Sequence, residues 1–173
     1  MDSVNDALLS VRVAVDSVIA AAEATGDSWA IPRAPGKWSP AQIVEHVARA
    51  LEESAHDVSG APSKFPTFPS LIRPFVRALL FKRILRNGAF PKGRTTKAMD
   101  PSSGPATPAA GRVRLEEAFQ EFERACRSVA DRGSAFESTL FGQVSVVDYI
   151  RFQDLHTLHH LGQMSEPAWR KPA

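Results

Sequence analysis

Leu8, Val11, Val15, Val18 and Ala22 recur at spacings of three and four, and the same spacing returns in three later stretches of the chain. Apolar residues at that period line one side of an α-helix, and such a side must be buried against other elements. The first stretch runs from about 4 to 24, with Gly26 after it as a stop. The second opens at Ser39-Pro40-Ala41-Gln42. There serine can cap, proline suits the first helical position and glutamine completes a capping box, so a helix is expected to about Asp57. The third runs from about 113 to 131, along Leu115, Ala118, Phe119, Phe122, Ala125, Cys126 and Val129. The fourth starts near Ser145, a candidate cap with Asp148 in the first turn, and continues through Met164.

Helices of about 20 residues are each roughly 30 Å long. Four of them make a four-helix bundle, and no strand or internal repeat is expected: the fold class is all-α. The 173 residues suit a single domain spanning 1–173. Residues from about 58 to 111 form a long crossover segment rich in Pro, Gly and Ser, and 165–173 an irregular tail. Within the crossover, LIRPFVRALLFKRILRNG predicts a short extra helix with Pro74 in its first turn. Leu71, Phe75, Leu79 and Ile84 are expected to pack inward and its basic residues to face solvent.

Composition narrows the function classes. The single cysteine, Cys126, excludes an internal disulfide framework and fits a reducing cytoplasm. It sits on an apolar stripe, where cysteine behaves as a small hydrophobe, so no nucleophile is assigned. The N-terminus lacks a basic region followed by an unbroken apolar run, and no stretch approaches the roughly 18 apolar residues of a membrane span. A cytoplasmic protein is expected. The formal charge is only +2, yet residues 61–100 hold nine Lys or Arg against one Asp. Within it, the basic segment 71–86 admits a nucleic-acid contact, a membrane-surface helix or a lid whose arginines attract an anionic substrate. Nothing resembles a helix-turn-helix or a base-stacking platform, so nucleic acid is not the expected partner, and beyond a solvated outer face an anionic or thiolate-bearing substrate is the next choice.

Three of the five histidines, at 156, 159 and 160, stand within DLHTLHHLGQM. His156 and His160 are four apart, about 40° on a helix, which lets two imidazoles grip one ion. Alone, the cluster reads more readily as a solvated patch at a helix C-terminus. His46 changes the balance. Ile43, His46, Val47 and Ala50 lie at i, i+3, i+4 and i+7, so this imidazole occupies the stripe expected to face the core. A buried imidazole needs partners, and an ion shared with the other two would supply one. Three imidazoles suit zinc, nickel, cobalt, copper or iron, and leave a coordination position for water or substrate.

Trp38-Ser-Pro-Ala-Gln-Ile-Val-Glu-His46 resembles the tryptophan-to-histidine motif on the second helix of the DinB-like superfamily, and His156-Thr-Leu-His-His160-Leu-Gly-Gln163 its fourth-helix signature. The resemblance implies a bundle of up-down-down-up order in which His46, His156 and His160 hold one divalent transition metal, zinc or nickel. His159 is then a variable neighbour and an alternative ligand. Characterised members include thiol S-transferases, which use a low-molecular-weight thiol as cosubstrate, maleylpyruvate isomerases and proposed metal-dependent hydrolases. The basic block from 61 to 110 matches no part of the motif, so substrate preference is not inherited.

Gln42 and Glu53 share the helical face of His46, and Tyr149 and Gln163 that of His156. They are candidates to orient a ligand, with Glu53 a candidate general base or else a solvated carboxylate two turns away. The leading expectation is a metal-dependent hydrolase or thiol S-transferase acting on a small molecule, the ion activating a water or a thiol. A non-catalytic metal-binding or stress-response interaction protein is the rival, a nucleic-acid-associated helical protein the third. A homodimer remains open.

Overall fold

A computed structural model describes residues 3–90 and 95–164, so the expected tail at 165–173 lies outside the described residues. The chain is mostly helical. Helix α1 spans Val4–Glu23 and starts at a capping box in which Ser3 and Asp6 exchange hydrogen bonds. Helix α2 spans Pro40–Ser59, opened by the Ser39–Gln42 capping box and closed at Gly60, whose φ of 76° is left-handed. The crossover then carries α3 (Arg73–Val76), a π-helical turn (Arg77–Phe81) and α4 (Lys82–Asn87) as one run of helix. Helix α5 spans Pro108–Ala130, capped by Thr107, about a turn and a half earlier than the apolar stripe alone indicates. Helix α6 spans Val146–Met164, and Ser145 accepts from the Asp148 amide as expected (3.3 Å).

The apolar stripes meet as pairs. Helix α2 packs along α5, α1 packs along both α6 and α5, and Val11, Val15, Val18, Val44, Val47, Leu115, Phe122 and Ile150 are buried between them. Cys126 belongs to this core, and burial pushes its thiol up, away from the reactive thiolate. Arg114 of α5 reaches both Glu45 and Glu52 of α2 along the flank of their contact. Among the described residues no helix is long and apolar enough to cross a membrane.

Two expectations are corrected. A strand was not expected, yet β1 (Ala135–Ser138) and β2 (Gly142–Ser145) form an antiparallel hairpin with Phe136 opposite Val144. Alternation over four residues is too short to distinguish from a loop by pattern. Gly142, at φ 69°, makes the turn that pairs the strands. Second, Leu71, Phe75 and Leu79 point outward, and only Ile84 of the predicted inward set is buried. The π turn is the cause: it puts Val76 and Phe81, five apart, on the inner side where an α-helix would alternate three and four. The crossover also packs on the helices. Residues 99–105 lie on the N-terminal half of α2, tied by Gln42 to the Pro101 carbonyl (3.0 Å) and by Trp29 to the Pro105 carbonyl (2.8 Å).

That close approach depends on Gly104, where a Cβ would stand 2.1 Å from the Ala41 carbonyl oxygen. Backbone cannot yield as a side chain does, so Gly104→Ala is expected to destabilise by about 1–3 kcal/mol. Thermal unfolding of the variant checks this; an unchanged midpoint would mean that the crossover lies off the helix.

Candidate metal centre

The core-facing stripe of α2 carries His46 inward, 4% exposed, and α6 brings His156 and His160 to meet it. The Nε2 of His156 lies 3.3 Å from that of His46 and 3.1 Å from that of His160. One donor atom from each ring falls within 4.8 Å of the others, a spacing that could hold a metal ion. Trp38 covers the cluster, its ring 4.6 Å from His46 and 6.0 Å from His160. Phe90 closes the other side, edge-on to His156 at 5.4 Å.

The second nitrogens decide what the cluster can do. Nδ1 of His46 donates to the Met99 carbonyl (2.8 Å) and Nδ1 of His160 to Oε1 of Gln163 (3.1 Å). In each neutral ring the proton is then on Nδ1, and the Nε2 lone pair faces the centre. Nε2 of His156 carries one proton at most, so it can satisfy only one of the two lone pairs. The other contact sets lone pair against lone pair. A cation between the rings relieves this, and carbonyl-type partners on the outer nitrogens are the usual support of a metal-binding imidazole. The donor set therefore fits a divalent transition metal.

Protonation is suppressed throughout. Burial pushes His46, His156 and His160 below the ordinary imidazole value, His160 to about 3, and neighbouring imidazoles add to the effect. Neutral rings are what metal binding requires. In metal-free protein the unfolded imidazoles take up protons below about pH 6.5 while the folded ones resist. The unfolded state then binds more protons, so stability is expected to fall as the pH falls below about 6.5, by up to about 1.4 kcal/mol per unit for each such ring. Urea unfolding of chelated protein at pH 7 and pH 5 reads this directly.

The remaining candidates separate. Gln163 joins the cluster, holding His160 through its carbonyl and donating its amide to Nε2 of His159 (3.2 Å). His159 is occupied there and stands outside the group of three. Gln42 is spent on the start of α2, accepting from the Ser39 amide (2.9 Å). Glu53 is buried but faces the crossover, where it accepts from the Lys64 amide (2.6 Å) and Ser63 (3.2 Å). Burial alone would raise its carboxyl, but these bonds and the Lys64 ammonium hold it below the usual value. It pins a loop. Tyr149 lies in the wall beside the histidines, yet its hydroxyl turns away to Asp57 (3.1 Å). Sequence reasoning missed the Met99 carbonyl, because any residue offers that group and no side-chain pattern marks it.

An apolar cavity of about 440 Å³ opens onto the histidines, walled by Phe65, Phe68, Leu80, Ile84, Phe90 and Phe141. Beside it lies a second cavity of about 510 Å³ bearing Arg33, Lys37 and Lys97, with Asp100 the single carboxylate on its wall among the described residues; Trp38, Thr95 and Gln163 line both.

A mostly helical chain with a buried cluster of three histidines beside an apolar cavity defines the class: a helical protein with a candidate metal centre. Residues 11–164 match the DinB superfamily, and the chain belongs to it. No curated protein and no solved structure matches the chain at a significant level.

Proposed function

We propose that the protein is a metal-dependent enzyme of the DinB-like type, a hydrolase or thiol S-transferase acting on a small molecule. Its four long helices make an up-down-down-up bundle, and His46, His156 and His160 hold one zinc or nickel ion between α2 and α6. The observation that carries this reading is the pair of Nδ1 protons committed to oxygen, which leaves two Nε2 lone pairs aimed at a third imidazole. When bound, the ion supplies Lewis acidity that lowers the pKa of a water or a thiol. The protein's own contribution is placement and exclusion of water. The phenylalanine-lined cavity would take the apolar body of a substrate, and the cationic rim at Arg33, Lys37 and Lys97 favours an anionic group beside it.

Elemental analysis of untagged protein tests the metal, with about one ion per chain expected. A panel of esters, amides and electrophiles, the last offered with thiol cosubstrates, tests the reaction. A bound ion without turnover on any of them would make this a metal-binding protein of another kind. Gln163→Leu is expected to weaken metal affinity about 10- to 100-fold while keeping the three ligands, because His160 loses the oxygen that orients it. Competition with a chromogenic chelator measures that loss.

A further inference from the structure

The crossover run of helix presents two contrasting sides. Val76, Leu80 and Ile84 wall the apolar cavity, while Leu71, Phe75 and Leu79 stand 85%, 68% and 73% exposed on the outside. Ile72 is 47% exposed beside them, and Phe75 and Leu79, four apart, form a continuous ridge. Isolated surface leucines need no explanation, but a contiguous ridge of this kind marks a surface that something covers. Past the ridge the same outer side turns basic at Lys82, Arg83 and Arg86, all exposed and none within ion-pair distance of a carboxylate among the described residues. No Asp or Glu occurs anywhere from 58 to 99.

Charge decides the occupant. A second copy seated on this face by a twofold would bring two basic sets together with no acidic residue from either segment to neutralise them. A nucleic-acid backbone would suit the cations but leave Leu71, Phe75 and Leu79 in water. An anionic bilayer satisfies both halves, since acyl chains at the interface take up the apolar ridge and phosphate headgroups the Lys and Arg. We propose that residues 71–86, the turn at 71–72 and the helix that follows it, form a membrane-surface docking segment selective for anionic phospholipid. The protein then rests on the bilayer without spanning it, and the helix that touches lipid is the same one that walls the cavity.

The test is co-sedimentation of the full-length protein with large vesicles of phosphatidylcholine, alone or with about one third phosphatidylglycerol. Binding is expected at least tenfold tighter to the phosphatidylglycerol vesicles, and to weaken as salt is raised. Phe75→Glu with Leu79→Glu, and separately Lys82→Glu with Arg83→Glu, should each reduce it at least tenfold. All four positions are exposed, and unchanged far-ultraviolet circular dichroism confirms that the variants fold. His46→Ala should bind vesicles as well as the unaltered protein, which separates this face from the metal site. Absence of vesicle binding overturns the proposal, as does binding that the four substitutions leave intact. A dimer that Phe75→Glu with Leu79→Glu converts to monomer, with no affinity for vesicles, would assign the ridge to a second copy. A salt-sensitive complex with duplex DNA in place of vesicle binding would assign it to nucleic acid.

Discussion

Replacing His156 by alanine should empty the proposed metal site, taking occupancy from about one ion per chain to near zero. Its Nε2 is the atom that the other two approach, at 3.3 and 3.1 Å, and without it only two imidazoles are left to hold an ion that needs at least three protein ligands. The signature in stability is equally direct. An ion that binds the folded state at one hundred times its dissociation constant adds about 2.7 kcal/mol, and a chelator removes that contribution. Unaltered protein should lose thermal stability when chelated, and His156→Ala should show no response. His159→Ala is the informative control, since its Nε2 is engaged by the Gln163 amide. It should keep the ion. Loss of metal in His159→Ala with retention in His160→Ala would reassign the third ligand.

Asp57→Ala should be the most damaging single substitution outside the histidines, costing about 3–5 kcal/mol. This carboxylate is 2% exposed and accepts four hydrogen bonds. Ser138 donates to one oxygen (2.7 Å), as does the Tyr149 hydroxyl (3.1 Å), while the Thr139 amide and hydroxyl both donate to the other (2.8 Å each). Alanine would orphan buried donors on the hairpin and on α6 at once. For a chain of this size the melting midpoint should fall by about 10 °C or more. Asp57→Asn, which keeps an oxygen acceptor, should recover part of the loss. A shift below about 2 °C for alanine would mean that water replaces the carboxylate and that the hairpin is not anchored through it.

Asp57 also shows where sequence reading stops. Its neighbour Tyr149 shares the helical face of His156, which made it a candidate to orient a ligand; in the structure its hydroxyl belongs to Asp57. Glu53 shares the face of His46 and instead holds Ser63 and Lys64. A helical projection gives direction around the axis but not height along it. Seven residues are about 10 Å of rise, beyond hydrogen-bond reach. Gln163 is as far from His156, yet only three residues from His160, and it is the candidate whose side chain bonds one of the three. The ridge at Leu71, Phe75 and Leu79 failed for another reason, an extra residue in one helical turn that rotates everything before it.

What the sequence determined by itself is what near neighbours in the chain control. The capping box at Ser39–Gln42, the Ser145 cap, the apolar stripes and the inward position of His46 all depend on residues within a turn or two, so spacing alone reports them. Tertiary structure alone decided which groups from distant segments meet: the Met99 carbonyl on His46, Asp57 beneath the hairpin, and the two histidines of α6 against the one of α2. Those contacts join residues 53, 81 and 110 positions apart in no local pattern, and only the packing of whole helices brings them within hydrogen-bond range.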